Sequence, residues 1–202
     1  MSATAARPGF LESSPETAAA RALFDEDLAE VGYVMNASRA WAYRPELAEE
    51  LFALMGKSIA IHDLSVRRRG IIVAACASSY GDSYCSLAWG QKLADRAGAD
   101  IAAAVLTGSD EGLSSDERAL ARWARRVARD PNATTADDVA ALRAAGFTDA
   151  QIFAITVFIG LRIAFSTIND ALGLRPDARL RSDAPPEVVA AVSFGRPIAD
   201  PD

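Results

Sequence analysis

Histidine is nearly missing from this chain. His62 is the only one, and only two cysteines, Cys76 and Cys85, accompany it. One imidazole and two separated thiols do not make a zinc site, and two cysteines are too few for a disulfide framework. Lysine is almost as scarce. Lys57 and Lys92 are the only two among 21 basic residues, and the net charge is -6, so no broad basic patch exists to neutralise nucleic-acid phosphates. No glycine-rich spacing suits a phosphate loop or a dinucleotide fingerprint. No metal, cofactor or nucleic-acid partner is therefore expected. No segment alternates polar and apolar residues with a strand's period, and no two apolar runs meet at a hairpin turn. An all-α fold is expected.

Long hydrophobic runs are also few. The longest, 152–165, is short for a membrane span and contains Arg162, so it reads as a buried helix and no membrane partner is expected. No charged-then-apolar signal opens the chain, which points to a reducing cytoplasm. Half of the 202 residues are apolar, enough for one domain with a sizeable core.

Helix punctuation organises what is present. Residues 1–12 read as a flexible arm, 13–174 as one helical domain, and 175–202 as an extended, proline-rich tail that wraps the surface or a neighbouring subunit. Ser13-Ser14-Pro15-Glu16 resembles a capping box opening the first helix. Ser114 to Glu117 and Thr148 to Gln151 are two more, and Asp63-Leu64-Ser65 and Thr135 to Asp138 mark further starts. About eight or nine helices result, with the apolar runs near 71–79 and 152–165 forming two central ones.

The most chemically suggestive stretch runs from Gly70 to Gln91. An apolar helix breaks at Ser79-Tyr80-Gly81-Asp82, and the next helix carries Cys85 in its first turn, where the backbone dipole favours thiolate. Arg67-Arg68-Arg69, just upstream, is the one local basic cluster and reads as a solvated or ion-paired face.

The order of these elements resembles the carboxymuconolactone decarboxylase superfamily, in its alkylhydroperoxidase-D-like, peroxidase-related branch. The resemblance covers roughly residues 22 to 175. Tyr43-Arg44-Pro45-Glu46-Leu47 with Leu51 to Leu54, the segment Arg68 to Gln91, and Leu113 to Gly173 carry it, the last including Asp137-Asp138-Val139 and Leu142 to Thr148. It implies an alkylhydroperoxidase-D-like helical bundle that assembles as a homo-oligomer, whether dimer, trimer or hexamer.

Active members of that family carry a glutamate before the helix break, then Cys-x-x-Cys, then a histidine four residues after the second cysteine. That second cysteine attacks peroxide, the histidine and glutamate relay its proton, and the first cysteine resolves the sulfenic acid. Aligned on Tyr84-Cys85, the glutamate position is Gly70, the resolving cysteine is Asp82 and the histidine is Trp89. Only Cys85 is retained, and Asp82 at the helix mouth disfavours its thiolate. The expectation is a degenerate active site, with thiol-peroxidase activity lost or reduced to a single-cysteine form. Two alternatives stand beside it: a decarboxylase or lyase acting on a small acid through Asp82 and Tyr84, with Tyr80 as a further candidate, while Arg68 or Arg69 holds a carboxylate, and a non-catalytic oligomeric protein that binds a small molecule. Cys85 and Asp82 are the catalytic candidates, and Tyr84, Trp89 and Gly70 the pocket candidates.

Overall fold

A computed structural model describes residues 9–60 and 64–201, and among them eleven α-helices and no strand. They are α1 (Ala18–Glu30), α2 (Asn36–Trp41), α3 (Pro45–Ala60), α4 (Val66–Tyr80), α5 (Ser83–Ala97), α6 (Ala99–Leu106), α7 (Ser115–Arg129), α8 (Ala136–Ala144), α9 (Asp149–Ala171), α10 (Leu180–Asp183) and α11 (Pro186–Ala191). His62 and Asp63 lie outside the described residues, as do the first eight residues of the arm.

The all-α expectation holds, and most of the punctuation falls where the sequence puts it. Glu117 accepts the Ser114 N–H at 3.0 Å to open α7, and Gln151 does the same for Thr148 at 2.8 Å to open α9. Ser65 caps α4 by accepting the Arg68 N–H at 3.2 Å. The first helix differs. Thr17, not the Ser13 box, caps α1, accepting the Ala20 N–H at 3.0 Å, and the helix runs on unbroken to Glu30. A proline and a glutamate after a serine were thus insufficient where a threonine closer to the helix supplied the side-chain acceptor.

Helix α4 is the centre of the bundle. Every residue from Gly70 to Ala77 is buried, and the helix packs against α5, α6, α7 and α9. Helix α9 is long and apolar enough to cross a bilayer by length and composition, yet its Ile155, Phe158 and Ile159 face is buried in the bundle. Its opposite side leaves Phe153 and Ile168 exposed, whereas residues 70–77 of α4 are enclosed all round.

The C-terminal segment is more structured than an extended tail. It forms α10 and α11, buries Leu180, Ala184 and Val188, and packs α11 on α5 and α6. This docking carries Asp177 to the bundle's interior, beneath α5.

Candidate functional site

The turn between α4 and α5 sets the site. Gly81 ends α4 with φ of 88°, a left-handed conformation that glycine adopts without a Cβ clash, and Asp82 follows as the N-cap of α5. Asp82 Oδ1 accepts the Cys85 N–H at 3.0 Å, and its Oδ2 is buried without a partner. A carboxylate is consequently locked one turn below the thiol, where the helix end alone would have favoured a negative sulfur.

Cys85 itself is buried. Arg162 Nη2 and Ser166 Oγ, both from α9, donate to its Sγ at 3.3 and 3.2 Å. Burial pushes the Cys85 thiol well above its ordinary value, the Asp82 charge adds to this, and Arg162 and Ser166 offset only part of it. The thiol is therefore neutral near pH 7. Cys76, on the preceding helix, is pushed up to about 12, first by burial, and both cysteines are free.

A cavity of about 490 Å³ lies over this thiol, lined by α1, α2, α3, α4, α5, α9 and the C-terminal segment. Three of the candidates from the sequence, Tyr84, Cys85 and Trp89, line it. Asp82, Tyr80 and Gly70 do not. Gly70 is packed against α5 instead: a Cβ there would sit 3.1 Å from Leu93 Cβ, so the glutamate position of the resemblance is filled by a leucine. Trp89 forms part of the aromatic lining, with the Arg162 guanidinium 5.3 Å from its ring centroid.

Tyr84 is fully engaged by the fold. Its hydroxyl donates to Asp177 Oδ2 at 2.5 Å and accepts the Ala37 N–H at 3.2 Å, while Asp177 Oδ1 accepts the Asn36 N–H at 2.7 Å. Burial raises the pKa of Asp177, and burial together with the Asp177 charge raises that of Tyr84. The pair ties α2 and the C-terminal segment to α5, and leaves this hydroxyl no spare proton to give.

The basic run divides in two. Arg67 pairs with Glu117 at 2.5 Å and Arg68 with Asp116 at 2.5 Å, both in the first turn of α7. Arg69 makes no such pair among the described residues and lines the cavity. Of the two arginines considered for holding a carboxylate, Arg68 is thus already occupied, while Arg69 has no ion pair among the described residues.

Arg162 and Asp177 are the functional neighbours that sequence reasoning missed. Arg162 carried a signal, since it continues the buried stripe of Ile155, Ile159, Ser166 and Asn169 at helical spacing, where an unpaired charge demands a reason. Asp177 carried none, because its contact with Tyr84 spans 93 positions. Among the described residues, no group of three or more His, Cys, Asp or Glu side chains is placed to hold a metal ion.

The bundle, with its central cysteine turn, is the fold of the alkylhydroperoxidase-D-like, peroxidase-related proteins. It is similar to an uncharacterized peroxidase-related protein from Silicibacter sp. TM1040, with a TM-score of 0.75, 19% identity, and coverage of 89% of this chain and 97% of that one. An uncharacterized peroxidase-related protein from Ralstonia eutropha JMP134, described as an alkylhydroperoxidase AhpD core, gives a TM-score of 0.73 at 23% identity over 87% and 96%. A cysteine-to-alanine form of the debrominase Bmp8, in complex with 2,3,4-tribromopyrrole, gives 0.70 at 15% identity over 85% and 94%. No family model matches the chain, and no curated protein matches it significantly.

Proposed function

We propose that this chain is a peroxidase-related protein that has lost the two-cysteine peroxide cycle and keeps the cavity above Cys85 as a binding site for a small molecule. The observation that carries this reading is the environment of Cys85: a buried thiol, held neutral by burial and by Asp82, with arginine and serine donors rather than an acid–base relay around it. A peroxidatic cysteine needs a thiolate and a resolving partner. Here the resolving position is an N-cap carboxylate and the relay position an aromatic wall. The lyase alternative is weakened, because Asp82 lies off the cavity and the Tyr84 hydroxyl is committed to Asp177.

Hydrogen peroxide consumption with dithiothreitol as reductant tests this. The wild-type rate is expected to equal that of Cys85→Ala, and a wild-type rate that collapses in the variant would refute the reading.

The debrominase complex favours one elaboration, since a protein of this fold accommodates a flat five-membered ring. Trp41, Phe52, Phe165 and Trp89 give this cavity aromatic surface on which a flat ring can pack. Assembly into a homo-oligomer belongs to the same proposal. Exposed Leu47 and Leu54 on α3, and Phe153 and Ile168 on α9, which packs on α3, support it, and sedimentation as a monomer at micromolar concentration would contradict it.

A further inference from the structure

Two arginines on the cavity lining have no acidic partner among the described residues. Arg162 is only 6% exposed, donates its one hydrogen bond to the Cys85 sulfur, and keeps its Nε buried and unpaired. The rings of Trp89 and Phe165 flank the guanidinium, each with its centroid at 5.3 Å. Arg69 is half-buried, also has an unpaired buried Nε, and makes no ion pair or hydrogen bond among the described residues through its side chain. Its neighbours Arg67 and Arg68 on the same turn both have carboxylate partners, so the omission is specific to the side chain that faces the cavity.

A buried guanidinium without an anion is costly, and native interiors normally supply one. The acids that share the lining do not. Asp27 accepts the Met35 N–H at 2.8 Å, Asp177 is held by Tyr84 and Asn36, Glu30 meets Lys92 at 3.5 Å, and Glu26, the fourth acid on the lining, makes no ion pair among the described residues. None lies within ion-pair distance of either arginine. The volume of about 490 Å³ suits a small ring-bearing molecule, and Trp41, Trp89 and Phe165 offer flat apolar surface on the same lining, the last two flanking Arg162.

We propose that Arg162 and Arg69 anchor the carboxylate of a small planar organic acid, whose unsaturated or aromatic body packs on Trp41, Trp89 and Phe165. This rests on the reading of the cavity as a binding site and names the class of ligand that enters it. A carboxylate fits because its two oxygens match the guanidinium fork.

Calorimetric titration of the full chain with benzoate, its neutral isostere benzamide, and inorganic phosphate tests the proposal. Benzoate is expected to bind, with benzamide and phosphate each weaker by about tenfold or more. Arg162→Gln and Arg69→Gln are each expected to weaken benzoate by about tenfold. Arg69 is only half-buried, so its variant keeps the test decisive if Arg162→Gln does not fold, as judged by circular dichroism. Equal binding of benzamide, equal binding of phosphate, undiminished benzoate binding to a folded arginine variant, or no benzoate binding at millimolar concentration overturns the proposal. Peroxide turnover through Cys85 would leave these titrations unaffected, so this proposal and the preceding reading fail separately.

Discussion

Asp82 and Cys85 face each other across the first turn of α5, the carboxylate Oδ1 accepting the cysteine N–H at 3.0 Å. The same contact that caps the helix places a negative charge beside the thiol. Replacing Asp82 with asparagine keeps a good cap and removes the charge. Asp82→Asn is therefore expected to lower the Cys85 pKa and speed its alkylation by iodoacetamide at pH 8, followed by mass spectrometry of the Cys85 peptide. An unchanged pH profile would show that burial alone holds the thiol neutral.

The Tyr84 hydroxyl bridges Asp177 and the Ala37 N–H, so its removal leaves two buried polar groups short of a partner. Tyr84→Phe is expected to cost about 1–3 kcal/mol of stability, measured by urea unfolding. A loss near zero would mean that water replaces the hydroxyl and that the C-terminal segment is not tied down here.

Gly70→Glu restores the residue type that the family resemblance puts at this position, but its Cβ meets Leu93. The substitution is expected to destabilise the fold by about 1–3 kcal/mol through overpacking, without creating peroxidase activity. Combining it with Leu93→Ala should recover part of the loss that simple addition of the two single costs would predict, which a double-mutant cycle in urea detects.

Much of this architecture is legible in the sequence because helix ends are written locally. Ser114 with Glu117 and Thr148 with Gln151 reveal α7 and α9, and the unbroken apolar run after Gly70 reveals the enclosed helix. The site is less legible. Cys85, Tyr84 and Trp89 are found from their place in the first turns of α5, yet the partners that define their chemistry come from elsewhere: Arg162 and Ser166 from α9, Asp177 from beyond the domain boundary read at residue 174. Contacts of that separation leave no periodic trace. Asp82 shows the opposite case, a residue whose capping role is local and readable, while its buried second oxygen is a tertiary consequence.

Asp170, near the end of α9, gives the fold a pH dependence. Its pKa is raised to about 6 from the usual 3.8 by burial first and then by the Asp82 charge, with Arg196 acting against both. Between those two values the folded protein retains a proton that the unfolded chain has released, so this group's contribution to stability falls as pH rises through the interval. Asp170→Asn removes that loss. Its melting temperature relative to wild type is expected to be more favourable at pH 7 than at pH 4, and a pH-independent difference would contradict the assignment.

The central claim, that Cys85 no longer reacts as a peroxidatic thiolate, is tested most directly by trapping its oxidation state. The folded protein is pulsed with hydrogen peroxide at pH 7 in the presence of dimedone, and the Cys85 peptide is read by mass spectrometry. The account predicts an unmodified thiol, because burial and Asp82 keep the sulfur protonated. A dimedone adduct at Cys85, formed faster than on free cysteine, would contradict it.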